Sequence, residues 1–403
     1  MSLRERFLVL ILAIGGFAAT VNAVILVPTL QPIADQFDTT DAVSGQIGTI
    51  NAVLSGLTAL IAAQWIDRFS RRRLLRIGAV IIVTGNMISA LAPALSWLFV
   101  GRGLTGVGGA LILPTCIAAA GDLFEDPVKR NRAVSTVWAA TSLTLLVGLP
   151  ILTQITALAS WRWTMASALV PFGILLAGTN WLPTHIPGGS DETGQTTGLR
   201  AVFEYRPAVL LLVGISMFWV VFFGAYTYWG AFADTRFHVT ANQLSLLLLV
   251  GGAADLVGTY AAPLAISWRS PRYMLITCAT AFGLNLLAVG VLYITYGSLF
   301  LYMLIFGVSS GALVVYASIL LLDTLPAVRG AMMSLSAAGN SLGGAAGIAL
   351  AGVLLAVMGY DAIYVGLGLI MPLMIVCLAV SFSISRSAAA QEIELADGLT
   401  SDG

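Results

Sequence analysis

Two ionisable side chains stand at depths where a lipid-spanning helix would not ordinarily carry them. Arg102 falls inside the apolar run 96–119, and Asp255 falls near the middle of the run 240–265. A charge at such a depth is expensive, so it faces a cavity or a partner and marks a substrate path or a proton relay. A guanidinium there can hold a substrate anion, join a relay or form a conformational ion pair. The bland alternative is a structural arginine whose head snorkels to the surface. A carboxylate there can load and lose a proton as water reaches it alternately from two sides. Its bland alternative is a structural Asp hydrogen-bonded to neighbouring helices, or paired with Arg102. No other acid lies deep in an apolar run, because Asp122, Asp234 and Asp323 sit at run ends.

Other chemistries lack their residues. The chain holds no Ser/His/Asp cluster, no deep carboxylate pair and no phosphate-binding loop, which points away from an enzyme and from ATP-driven work. His185 and His238 have no partner at metal spacing, and Cys116, Cys278 and Cys377 read as small buried hydrophobes. No metal and no cofactor are expected.

Composition fixes the kind of scaffold that carries Arg102 and Asp255. Of 403 residues, 58% are apolar or aromatic and 9% are charged, against about a quarter charged in an ordinary soluble domain. Lipid is the solvent that accepts this surface, because a helix satisfies its own backbone there. The net charge of zero gives no basic field for nucleic acid. At roughly 20 apolar residues per span, twelve spans are expected: 7–30, 43–66, 74–93, 96–119, 132–157, 162–182, 206–232, 240–265, 272–294, 297–322, 330–357 and 361–385. The first run is too long for a secretion signal.

Of the 19 Lys and Arg, all but Arg102, Arg162 and Arg236 fall on one side if the N-terminus is cytoplasmic. The first loop on the other side carries Asp35, Asp38 and Asp41 and no basic residue. The bias predicts both termini inside. The Gly/Thr/Pro-rich stretch 183–205 divides the chain into a half at 1–182 and a half at 206–386, with a polar, acidic tail at 387–403 expected to be disordered. Pro127, Arg130, Ser135 and Gly148 recur 199 residues later as Pro326, Arg329, Ser334 and Gly347. A fused duplication of a six-helix unit explains that offset, and two such halves can rock about a site between them. Shifted back by the same offset, Asp255 falls on Gly56, so its charge belongs to one half only.

Three motifs carry a family resemblance. Ala63, Asp67, Arg68, Ser70, Arg71, Arg72 and Arg73 follow a G-x-x-x-D-R-x-G-R-R pattern, with Ala63 and Ser70 in the glycine places. Arg102, Thr105, Gly106, Gly108 and Ala110 follow R-x-x-Q-G-x-G-x-A, with Thr105 in place of Gln. Gly148, Leu149 and Pro150 stand at a Gly-Pro position with Leu149 inserted. The chain resembles the major facilitator superfamily over almost its whole length to about residue 385, and within it the twelve-span drug:proton antiporter and sugar-efflux group. Trp161, Arg162 and Trp163, and the seventh-span run from Phe222 to Trp229, are similar to that group too.

The resemblance implies an all-α membrane fold of twelve helices in two pseudo-symmetric six-helix halves. It implies a cytoplasmic latch in which Asp67 faces the N-terminal end of the eleventh span. Arg71 or Arg72 would pair with Asp122, with Arg68 and Arg329 beside them. Spans one, four, seven and ten would line a cavity, which makes Asn22, Thr105, Trp219, Tyr226, Tyr316 and, from the eleventh span, Asn340 the candidate cavity residues. Trp219, Phe222, Phe223, Tyr226 and Trp229 recur at three- and four-residue spacing, a pattern that equally suits packing or an interfacial belt.

The resulting expectation is a monomeric secondary transporter of the cytoplasmic membrane of bacterial type. It would export drugs, sugars or metabolites, with protons coupled through Asp255 and Arg102. An importer or facilitator, with Arg102 on an anionic solute, is the second reading. A non-transporting membrane receptor or assembly component is the third.

Overall fold

A computed structural model describes residues 1–62, 69–124, 126–183, 202–266, 268–292, 295–325 and 329–401. Among these the chain is helical and holds no strand. Helix α1 (Leu3–Val24) opens on a capping box, Ser2 with Glu5, and is followed by α2 (Leu26–Gln36) after a break at Ile25. Next come α3 (Asp41–Ala62), α4 (Arg71–Ala90) and α5 (Leu95–Asp122). Helix α6 (Pro127–Leu143) passes through a π-helical turn, Thr144–Gly148, into α7 (Leu149–Leu158). Such turns are rare and concentrate at functional positions. Helices α8 (Trp161–Ser167) and α9 (Leu169–Gly178) come after them.

The remaining helices are α10 (Arg206–Thr227), α11 (Trp229–Phe237), α12 (Ala241–Ala265), α13 (Pro271–Val291), α14 (Tyr296–Thr324), α15 (Arg329–Met358), α16 (Tyr360–Gly368) and α17 (Ile370–Ser401). Among the described residues, ten helical stretches are long and apolar enough to cross a membrane. The other two expected spans correspond to α3 and to the α8–α9 pair, which a break at Ala168 divides. The chain is thus an integral membrane protein, and the twelve-span expectation is consistent with it. Helix α17 runs on to Ser401, through the segment expected to be a disordered tail.

The internal repeat is visible in three dimensions. Ser70 caps α4 and Ser270 caps α13 through the same side-chain acceptor geometry. A Cβ on Gly106 would overlap the carbonyl oxygen of Asn51, and a Cβ on Gly307 would overlap that of Gly251. The crossings α3–α5 and α12–α14 are therefore made alike, backbone against backbone at a glycine. Asn86 on α4 and Asn285 on α13, separated by the same 199 residues, are both buried.

The α3 and α15 helices run antiparallel in contact, Gln46 against Gly352 and Gly48 against Ile348 toward the Asp41 end, and Gly56 against Leu342 past the middle of α3. Tyr360 donates its hydroxyl proton to Asp41, and Tyr228 donates to the Ile348 carbonyl at 3.4 Å from a position against Gly45. Arg236 pairs with Asp361 at 3.8 Å. Gln154 on α7 reaches Asn242 (2.9 Å) and Ser245 (3.0 Å) on α12. These contacts join distant parts of the chain and close that end of the interior.

Candidate functional site

Arg102 lies one turn before the Gly106 crossing on α5 and is 1% exposed. Its guanidinium donates at 2.8 Å to Asn22 Oδ1 and at 2.6 Å to the Asn22 carbonyl. The fold explains the second bond. Helix α1 stops at Val24, so the Asn22 carbonyl is among the last four, which lack intrahelical donors. Arg102 supplies the missing one. Asn22 Nδ2 donates at 3.4 Å to the Thr105 carbonyl. Asn51 Nδ2 on α3 donates at 2.9 Å to both the Arg102 carbonyl and Thr105 Oγ1. Three predicted residues, Asn22, Arg102 and Thr105, therefore form one network across α1, α3 and α5.

Among the described residues, neutral dipoles and no carboxylate hold this buried cation. Its Nε is left buried without a partner. Removing the side chain would strand the Asn22 carbonyl and Oδ1, at roughly 1–3 kcal/mol for each buried unsatisfied group. Arg102→Ala is therefore expected to lower the melting temperature of the purified protein by several degrees, with Arg102→Lys intermediate because one ammonium cannot fork onto both atoms. Melting curves in detergent check this.

Asp255 is half-buried on α12 and accepts the Ser310 Oγ proton at 3.1 Å. Among the described residues no ion pair joins it to Arg102 or to any other cation. One turn before it, Gly252 abuts the backbone of Leu145 and Leu146 in the π-helical turn. Asp255 thus stands beside the seam where α12 meets the α6–α7 segment. Tyr226 stacks on Phe222 (5.4 Å between ring centres) and on Phe306 (5.8 Å), one turn from Ser310 on α14. Trp219 is half-buried and stacks on Phe223 at 5.7 Å. The periodic aromatic stripe is one continuous wall.

Tyr316 and Asn340 differ from this group. Tyr316 is buried and donates at 3.0 Å to the Ala262 carbonyl, beside Pro263 near the end of α12, so its hydroxyl serves that helix end. Asn340 is half-buried on α15 and makes no hydrogen bond among the described residues. Of the latch residues, Arg71 pairs with Asp122 at 3.2 Å, and Arg72 donates at 3.4 Å to the Leu182 carbonyl. Asp67 and Arg68 lie outside the described residues, as does the side chain of Arg329. Arg162 donates to the carbonyls of Ala90 (3.2 Å) and Ala92 (2.8 Å) and so caps the end of α4.

Sequence reasoning missed Asn51 and Ser310. Asn51 was legible as a polar residue within a span, but it lies on the second span, outside the set expected to face the interior. Ser310 sits in a run of small residues, Gly307 to Gly311, and only its contact with Asp255 singles it out.

Comparison with known proteins agrees with this architecture. An uncharacterised transporter of the same type from Bacillus subtilis, YwfA, is 26% identical over 364 residues, covering 88% of this chain and 87% of its own. A chloramphenicol efflux pump of Mycobacterium tuberculosis is 26% identical over 251 residues, covering 61% of this chain and 60% of the pump. The solved peptide transporter POT superposes with a TM-score of 0.76 at 15% identity, covering 94% of this chain and 95% of that one. Residues 12–286 match the family model of the Major Facilitator Superfamily. With its helices, motifs and crossings in agreement with that match, the chain belongs to the major facilitator superfamily and is a transporter of its fold, not an enzyme.

Proposed function

We propose that this transporter exports small, partly hydrophobic solutes, among them drugs, sugars or metabolites, in exchange for protons entering from outside. The observation that carries the reading is Asp255: a carboxylate in mid-span, without a cation partner among the described residues, beside the seam with the π-helical turn. Protonation there removes a charge from the interior and biases the halves toward the other state. The aromatic wall of Trp219, Phe222, Tyr226 and Phe306 supplies apolar contact area for such a solute. Efflux in the Mycobacterium relative supports the direction.

In this reading both termini are cytoplasmic, residues 1–182 and 206–386 are the rocking halves, and the protein works as a monomer in a bacterial-type cytoplasmic membrane. Asp67, Arg68, Arg71, Arg72, Asp122 and Arg329 form the cytoplasmic latch. Arg102 stabilises the N-terminal half near the cavity, together with Asn22 and Thr105. Its attachment to Asn22 counts against the importer reading, which needs a guanidinium free to take an anion.

Solute flux in proteoliposomes, with and without an imposed pH gradient, tests this. Export coupled to protons predicts accumulation only when the gradient opposes it in sign. Equal flux with and without the gradient would leave a facilitator.

A further inference from the structure

At the Ser70 end of the bundle, Ser70, Arg72, Arg73 and Arg76 line a recess of about 320 Å³. The neighbouring Arg71 pairs with Asp122, but among the described residues Arg72, Arg73 and Arg76 have no acidic partner. Arg72 keeps a buried Nε without a partner, and the first turn of α4 carries no acid. Arg76 is held from below by Thr179 Oγ1, which accepts from its Nε at 2.9 Å. The exposed Arg73 lies over the Phe69 ring at 5.2 Å.

The side chains beyond Arg73 on the same helix face decide the ligand. Residues 73, 77, 80, 84 and 87 recur at spacings of four and three, one stripe of a helix. Ile77, Val80 and Met87 on that stripe are 40%, 50% and 46% exposed. An apolar stripe leads away from Arg73, while Arg72 beside it donates to the Leu182 carbonyl and Arg76 to Thr179 and Asn180. Trp181, 55% exposed, stands next to Leu182, whose carbonyl holds Arg72. An exposed tryptophan beside arginines is the signature of a membrane–water boundary.

We propose that this recess binds the phosphate of an anionic phospholipid, with an acyl chain lying along Ile77, Val80 and Met87. Guanidiniums match phosphate oxygens in geometry, and basic pockets between helices at a membrane boundary suit such headgroups. The apolar stripe favours lipid over free phosphate, which would gain nothing from it. The site depends on the transport reading only for the leaflet it faces. It would tie α4 and the end of α9 to the lipid beside Arg71 and Asp122.

The test is native mass spectrometry of the full chain in detergent, titrated with phosphatidylglycerol, phosphatidylcholine or inorganic phosphate. The expected result is a tightly held phosphatidylglycerol that phosphatidylcholine does not replace. Arg73→Gln combined with Arg76→Gln should weaken it by about fivefold for each guanidinium removed. The same changes at Arg269 and Arg272, before and within the repeat-related α13, should leave it unchanged. Equal retention of both lipids by the unaltered protein overturns the proposal, whatever the variants do. Displacement of the lipid by millimolar inorganic phosphate overturns the lipid as ligand. Undiminished binding by the Arg73/Arg76 double variant overturns the location.

Discussion

Asp255→Asn is expected to abolish accumulation driven by a pH gradient while leaving solute exchange in the absence of a gradient intact. The substitution is nearly isosteric. The asparagine Oδ1 can still accept the Ser310 hydroxyl proton, so the α12–α14 contact that holds the position survives. What it cannot do is take up and release a proton. The loss should be on the order of tenfold or more in gradient-driven flux, the size of a typical coupling free energy between two sites. Ser310→Ala is the companion variant. It removes a hydrogen bond to the carboxylate but leaves the proton-carrying group, so it should retain coupling with an altered pH profile. Exchange measured in the same vesicles separates a broken carrier from an uncoupled one. Gradient-driven accumulation that persists in Asp255→Asn would rule out coupling through this residue.

The readable part of the protein was the part governed by local sequence. Spans follow from apolar run length, so the helices lie where expected, and the Ser70 and Ser270 caps stand at the starts of their runs. Arg102 and Asp255 were conspicuous because a charge in lipid has few ordinary explanations. Their partners were not legible. Asn22 and Arg102 are 80 residues apart, and Asp255 and Ser310 are 55 apart. No periodicity encodes such pairs. The alternative pairing of Asp255 with Arg102 is not met, because a helix break gives Arg102 the Asn22 carbonyl instead. Tyr316 shows the same limit: a polar aromatic on an expected cavity helix turns to the end of α12 near Pro263. The π-helical turn at Thr144–Gly148 was marked only indirectly, by the unusual Gly148-Leu149-Pro150 order at its end. Closure at the Asp41 end was missed altogether, since Asp41 and Tyr360 are 319 residues apart.

That closure gives the second large effect. Gly45→Leu is expected to hold the Asp41 end apart. Even a Cβ at Gly45 would overlap the Tyr228 ring and hydroxyl, and Tyr228 is fully buried, so the phenol has nowhere to turn. Overpacking of this kind costs about 1–3 kcal/mol or more, which shifts a two-state equilibrium by roughly tenfold or more toward the state that lacks the contact. Alternation should stall with this end open, and transport should fail. A cysteine placed at Ile348, 6% exposed here, reports the change. Its reaction with a membrane-impermeant thiol reagent should rise in the Gly45→Leu background. Tyr228→Ala added to Gly45→Leu removes the overlapping ring and should bring reactivity back down, which a merely misfolded protein would not do. Gly121→Ala is the control, because nothing lies within 4 Å of the Cβ it would add. If Ile348→Cys stays protected and flux persists in Gly45→Leu, the contact between Gly45 and Tyr228 is packing alone and closure of this end rests on Asp41, Tyr360 and their neighbours.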